Sequence, residues 1–122
     1  MAKILVVDDD QDVVEGCRIY LENAGHEVMG ANTREDGMQA VEDFKPDLVI
    51  LDVMMEQADD GVFMAQELRR NNFKAPILMI TGVGKVTGLN IGKDNEMVPV
   101  DDFVEKPFDP KLLIEKVNSL LG

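Results

Sequence analysis

The chain has 122 residues, of which 45% are hydrophobic and 30% charged, a balance typical of one globular domain rather than of a disordered segment. Acidic residues outnumber basic ones 24 to 12, and the formal net charge of −12 argues against binding to nucleic acid or to an anionic membrane surface. No apolar run approaches the roughly 20 residues of a membrane span. The single cysteine, Cys17, cannot form an internal disulfide, so we expect a cytoplasmic protein.

Five short apolar runs typical of β-strands occur along the chain. The three strongest are Ile4–Val7, Asp47–Leu51 and Pro76–Ile80, and weaker runs lie at Glu27–Met29 and Phe103–Val104. Apolar runs without polar alternation are typical of a parallel sheet that is covered on both faces.

Taken in chain order, the first, second, third and fifth of these runs are each followed by a segment with a helical period. Thr33 and Asp109 are typical N-caps, and Gly25 is a typical helix stop. The apolar positions that define the four helices are Val14, Cys17 and Leu21; Met38, Val41 and Phe44; Met64 and Leu68; and Leu113, Val117, Leu120 and Leu121. This order of elements predicts a doubly wound α/β sandwich around a central five-stranded parallel sheet.

Polar side chains follow the predicted strands at their carboxyl ends, where open α/β sheets bind ligands. Asp8–Asp10 follow the first strand, Asp52 the third, Thr81 the fourth and Lys106 the fifth. Crowded carboxylates repel one another unless a cation joins them, and Mg²⁺ prefers such oxygen ligands. With the metal bound, a carboxylate can attack a phosphoryl group while the lysine and the hydroxyl share its charge. Asp10 fits either this group or an N-cap of the first helix.

These motifs resemble those of the receiver domains of two-component response regulators. The matching segments are Ile4–Asp10, Leu51–Met55, Ile80–Gly82 and Glu105–Phe108, and the resemblance extends from Lys3 to the last helix. It implies a flavodoxin-like (βα)₅ fold and a phosphorelay function, in which a phosphoryl group passes from a phosphohistidine to an aspartate.

Matched by motif, the resemblance implies a set of metal ligands around the phosphoacceptor. Asp52 would be the phosphoacceptor and a Mg²⁺ ligand, Asp9 a direct ligand, and Asp8 a ligand through water. The backbone carbonyl of Met54 would be the remaining ligand that the protein supplies to the metal.

The same resemblance implies a switch that responds to phosphorylation. Thr81 would bind the phosphoryl group as the switch hydroxyl, and Lys106 would pair with the phosphoryl oxygens. Phe103 stands where receivers carry an aromatic residue that turns inward on activation, although a plain core phenylalanine fits the same position.

The chain departs from the usual receiver pattern at three places. Glu56 follows the Leu51–Met55 motif where a proline is usual, and it adds an acid near the site. Phe103 replaces the commoner tyrosine. The stretch from Thr81 to Lys106 is longer than usual and rich in glycine. Between Thr81 and Pro99 the scattered glycines leave no apolar stripe, so we predict an irregular fourth helix there.

Two other functions fit parts of this pattern. A Mg²⁺-dependent phosphatase of the haloacid dehalogenase type also uses an aspartyl nucleophile. It carries a second aspartate two residues on, where this chain has Met54. A flavodoxin-like FMN module would need a phosphate loop after the first strand, where Asp8–Asp10 would repel the phosphate.

The sequence therefore predicts one receiver domain over residues 1–122 with no output domain attached. It predicts that the chain is not an enzyme acting on other molecules. The reactions that it would catalyse are the phosphorylation and dephosphorylation of its own aspartate. The expected partners are a sensor histidine kinase or histidine phosphotransfer protein and a separate downstream effector, and neither nucleic acid nor a membrane is expected to bind directly.

Overall fold

Apolar strands and amphipathic helices alternate along the chain as the sequence predicts. The computed structural model describes residues 2–53, 60–82, 100–106 and 109–122, and for residues 81, 82 and 106 it describes the backbone alone. The elements in these ranges are β1 (Lys3–Val7), α1 (Gln11–Asn23), β2 (Glu27–Ala31), α2 (Arg34–Phe44), β3 (Leu48–Asp52), α3 (Asp60–Arg70), β4 (Ile77–Gly82), β5 (Asp102–Lys106) and α4 (Pro110–Leu121).

The five strands form one sheet in the order β2-β1-β3-β4-β5, and all four pairings are parallel. The chain moves from β1 outward to β2, and then returns past β1 to β3. This reversal makes β1 and β3 the topological switch point of the sheet, where a crevice opens at the carboxyl ends of the strands.

Helices cover both faces of the sheet, and each face has its own apolar core. On one face, Leu5 and Val7 of β1 join a cluster with residues of α2 and α3. On the other face, Ile4 and Val6 join a cluster with residues of α1 and α4, including the buried Cys17. Alternate side chains of one strand thus enter opposite cores, which explains why the central strands read as unbroken apolar runs.

The predicted caps are confirmed where the helices begin and end. Thr33 Oγ1 accepts a hydrogen bond from the Asp36 N–H at 3.0 Å, and Asp109 caps α4 before its N1 proline. Asp10, for which the sequence left two roles open, is the N-cap of α1 and accepts from the Asp12 N–H at 2.9 Å. Gly25 follows α1 with φ of +95°, a conformation that favours glycine.

An ionic network joins three segments at the amino-terminal edge of the sheet. The Arg69 guanidinium donates to the carbonyl oxygens of Phe73 and Ala75 at 2.7 and 2.9 Å. It also donates to Asp101 Oδ2 at 2.9 Å, and the same oxygen accepts the Ile77 N–H at 2.8 Å. The end of α3, the start of β4 and the residue before β5 are therefore held together by one arginine.

Two further observations bear on the sequence predictions. The irregular fourth helix is predicted between Thr81 and Pro99, and residues 83–99 of this segment lie outside the described residues. Within the described part of the chain, no helix combines the length and the apolar character that crossing a membrane requires.

Candidate metal centre

Three carboxylates meet at the switch point of the sheet. Asp52 is the last residue of β3, and Asp8 and Asp9 directly follow β1. Because Val7 pairs with Leu51, the residues that follow each of them emerge side by side. One carboxylate oxygen from each of the three aspartates lies within 4.8 Å of the other two.

Two of the three carboxylates are buried, and all three repel one another. Asp8 is fully buried and Asp52 is 6% exposed, whereas Asp9 is exposed to solvent. Two unit charges about 4 Å apart repel by about 4 kcal/mol at the effective dielectric constant near a protein surface. A hard divalent cation such as Mg²⁺ takes oxygen ligands of this kind, so the donor set fits the predicted metal.

Backbone and side-chain hydrogen bonds fix the position of Asp8. Its N–H donates to the Ala31 carbonyl at 3.0 Å, and its own carbonyl accepts from the Asn32 side-chain amide at 3.0 Å. Its Oδ1 accepts the Asp10 N–H at 2.9 Å, which orients the carboxylate. The sequence did not single out Asn32, although its place directly after β2 puts it at the edge that carries the acids.

The backbone that carries Asp52 is held from two sides. The Val53 N–H donates to the Ile80 carbonyl at 3.0 Å, and the Val53 carbonyl accepts the Gly61 N–H at 2.9 Å. A Cβ on Gly61 would overlap the carbonyl oxygen of Asp52, so only glycine permits α3 to begin this close to β3. Sequence patterns alone do not indicate this contact.

A charged pair bridges the starts of α2 and α3 beside the cluster. Arg34 Nη1 lies 3.6 Å from Asp60 Oδ1, and the Asp60 side chain is 10% exposed. Sequence reasoning missed both residues. A signal was present for Arg34, because a cation in the first turn of a helix opposes the helix dipole and calls for a nearby anion.

The strand ends that carry Thr81 and Lys106 lie at the same edge of the sheet. Asp52 pairs with Ile80, so Thr81 is one residue beyond the partner of the acid in the neighbouring strand. In the next pairing, Thr81 lies opposite Glu105, one residue before Lys106. The backbone register therefore places these two residues beside the acid cluster, as the sequence predicts, and their side chains lie outside the described residues.

The other predicted site residues divide between described and undescribed positions. Phe103 in β5 is partly buried and packs against the core that α2 and α3 cover. The predictions for the Met54 carbonyl and for Glu56 fall on residues 54–59, outside the described residues.

Comparison with known proteins identifies the class of protein that this fold and site define. Residues 4–118 match the family described as the response regulator receiver domain. The chain therefore belongs to the response regulator receiver domain family.

Relatives and a solved structure agree with this assignment. The chain is 37% identical to the alkaline phosphatase synthesis transcriptional regulatory protein PhoP of Bacillus subtilis, over 98% of this chain and 48% of the relative. It is 35% identical to the DNA-binding dual master transcriptional regulator RpaA of a Synechocystis strain, over 99% of this chain and 49% of the relative. It also superposes on the chemotaxis protein CheY4 of Vibrio cholerae with a TM-score of 0.86 and 26% identity, covering 98% of both chains.

These comparisons confirm the predicted fold class and the predicted family, and they support phosphorelay signalling as the function. Nothing in them supports the phosphatase of the haloacid dehalogenase type. The chain spans about half the length of the curated relatives it matches, so the absence of an output domain stays a prediction.

Proposed function

We propose that the chain accepts a phosphoryl group on Asp52 from a phosphohistidine donor, with Mg²⁺ held at the same site. The observation that carries the proposal is the convergence of three carboxylates within 4.8 Å at the switch point of a receiver domain. Asp9, Asp52 and the Met54 carbonyl would hold the metal directly, and Asp8 through water. The receiver domain is proposed to extend over residues 1–122.

The positions of the three acids favour Asp52 as the nucleophile. Asp8 is fully buried and its Oδ1 already accepts the Asp10 N–H, which suits a supporting role. Asp52 ends β3, which lies between β1 with the other acids and β4 with Thr81. It is therefore the carboxylate whose neighbours on both sides carry groups that phosphoryl transfer requires.

The reaction forms one bond and breaks one bond. A carboxylate oxygen of Asp52 attacks the phosphorus, and the bond from phosphorus to the donor imidazole nitrogen breaks, leaving an acyl phosphate on Asp52. When bound, Mg²⁺ supplies positive charge to the transferring phosphoryl oxygens. The Lys106 ammonium is proposed to neutralise the same oxygens. The proposed catalysis is limited to phosphorylation and dephosphorylation of the chain's own aspartate.

The acyl phosphate is proposed to act as a switch. The Thr81 hydroxyl would bind a phosphoryl oxygen, and Phe103 would change its packing against the core of α2 and α3 in response. Phosphorylation would then shift an existing equilibrium between two conformations rather than create a new one.

The proposed partners are proteins. The donor would be a sensor histidine kinase or a histidine phosphotransfer protein, and the phosphorylated receiver would contact a separate downstream effector. Direct contact with nucleic acid is not part of the proposal for this chain, because its formal net charge is −12. A cytoplasmic location is proposed because the sequence has one cysteine and no internal disulfide is possible.

The test is phosphorylation of the purified chain by acetyl phosphate in the presence of Mg²⁺, followed by intact-mass spectrometry and a phosphate-affinity gel. Asp52→Asn should abolish the label, because among the acids that the structure describes Asp52 alone ends the strand between β1 and β4, next to the strand end that carries Thr81. Asp47→Asn is the matched control, since Asp47 precedes β3 at the opposite edge of the sheet. Substantial labelling of Asp52→Asn at another aspartate would contradict the assignment.

A further inference from the structure

We propose that the turn between β2 and α2 is a positioning element for phosphoryl transfer at Asp52. Within this turn, Asn32 fixes the strand end that carries Asp8, and Arg34 fixes the helix start that packs against Asp52. The inference rests on the proposed function, because it assigns these residues to the geometry of the same site.

Asn32 continues the pairing of β1 with β2 beyond the last pair of strand residues. That last pair is Val7 with Ala31, after which the Asp8 N–H still donates to the Ala31 carbonyl at 3.0 Å. The Asn32 side-chain amide then donates to the Asp8 carbonyl at 3.0 Å. Both main-chain polar groups of a buried acid are thus held by the end of β2, which limits the movement of its carboxylate.

Arg34 reaches the other half of the site. It is the first residue of α2, where its positive charge interacts unfavourably with the dipole of its own helix. A favourable partner for this charge is therefore expected outside α2. That partner is Asp60, at 3.6 Å, in the first turn of α3. The next residue, Gly61, lies directly against the Asp52 carbonyl, so the pair connects Arg34 to the backbone of the phosphoacceptor.

The two anchors lie two residues apart and hold both strand ends that supply carboxylates. Phosphoryl transfer depends on the relative placement of the nucleophile and the charges around it, and a displacement of about 1 Å can slow a reaction by about a hundredfold. An ion pair with one exposed partner contributes little to stability. The effect of this turn is therefore expected in the reaction rate and in the Mg²⁺ requirement, more than in the melting temperature.

The experiment measures the phosphorylation rate with acetyl phosphate as a function of Mg²⁺ concentration. Arg34→Ala should lower the rate at saturating Mg²⁺ by about fivefold, a fraction of the loss expected for a full displacement of 1 Å. Arg34→Lys should recover most of the rate, because a single ion-pair contact needs one cationic nitrogen. Asn32→Ala should raise the Mg²⁺ concentration for half-maximal rate by about tenfold, because it loosens a metal-supporting acid.

Arg18→Ala is the matched control for charge. Arg18 lies on α1, its side chain is 45% exposed against 42% for Arg34, and its ion pairs at 3.5 and 3.7 Å resemble the one at 3.6 Å. It removes the same charge without touching the turn, so its rate and Mg²⁺ requirement should match those of the wild type. Melting curves of all variants check that each one is folded.

The possible results separate this inference from the function on which it rests. Labelling of the wild type at Asp52, with Arg34→Ala and Asn32→Ala unchanged in both parameters, would overturn the inference alone. An unchanged maximal rate with a lower Mg²⁺ requirement in Arg34→Ala would overturn it too, because that is the result of removing a distant positive charge. Arg34→Lys as slow as Arg34→Ala would contradict the role of charge pairing. A wild type that takes no label at Asp52 would overturn the proposed function itself.

Discussion

The two edges of the sheet hold carboxylates in different arrangements. At the amino-terminal edge, Asp101 accepts from the Arg69 guanidinium and from a backbone N–H, so its charge is neutralised and joins three segments. At the carboxyl edge, three carboxylates gather within 4.8 Å of one another. The first arrangement joins segments of the fold, whereas the second gathers oxygen ligands of the kind that a divalent cation binds.

This difference predicts that substitutions at the two edges will have distinct consequences. Removing a charge from the amino-terminal edge should lower stability and leave Mg²⁺ binding intact. Removing a charge from the acid cluster should leave stability unchanged or raise it, while Mg²⁺ binding and phosphorylation are weakened.

The largest effect is expected for Gly61→Ala. The added Cβ would overlap the Asp52 carbonyl oxygen, so α3 must move away from β3, at a cost of about 3 kcal/mol in the free energy of unfolding. The phosphorylation rate should fall as well, because the backbone of the acceptor shifts. Urea denaturation and the acetyl phosphate assay measure the two effects.

Gly16→Ala is the matched control for this substitution. A Cβ at Gly16, within α1, would meet nothing within 4 Å. Alanine also favours the helix over glycine by about 0.5–1 kcal/mol, so this variant should be more stable than the wild type. Equal effects of the two glycine substitutions would contradict the packing described at Asp52.

A smaller loss is expected for Arg69→Ala at the amino-terminal edge. The substitution removes the donor to two carbonyls and to the Asp101 carboxylate, and should cost about 2 kcal/mol of stability. Arg70→Ala, at the exposed neighbouring position of the same helix, is the control. If Arg69→Ala abolished the response to Mg²⁺ in a folded protein, the separation of the two edges would be wrong.

The smallest effect, and one that raises stability, is expected for Asp9→Asn without metal. Removing one of three crowded charges should raise the free energy of unfolding, by up to about 1 kcal/mol because solvent screens the exposed Asp9. Urea denaturation in the presence of a chelator measures it. A clear loss of stability would show that the Asp9 carboxylate supports the fold rather than opposing it.

The features that could be predicted from the sequence are those that depend on residues close together along the chain. Unbroken apolar runs identified β1 and β3, and parallel pairing then brought Asp8 and Asp52 to one edge. The weaker signal at β2 has a packing cause, because a Cβ on Gly30 would overlap the Val14 side chain of α1. A glycine in a strand lowers the sequence signal while allowing this close approach.

Contacts between distant segments could not be predicted in the same way. The hydrogen bond from Asn32 to Asp8 and the ion pair of Arg34 with Asp60 depend on how the ends of different elements meet. Periodicity and capping preferences describe only local structure, so they identify where a helix begins but not what its first residues contact.

The most direct test of the account is the melting temperature of the wild type as a function of Mg²⁺ concentration. Binding to the folded state alone stabilises by RT ln(1 + [Mg²⁺]/Kd), about 2.7 kcal/mol at a hundredfold excess over Kd. The account predicts a rise in melting temperature that shrinks in Asp9→Asn and persists in full in Asp47→Asn. A wild-type melting temperature that is indifferent to millimolar Mg²⁺, or an equal rise in Asp9→Asn, would contradict the claim that this edge of the sheet gathers acids to bind a metal.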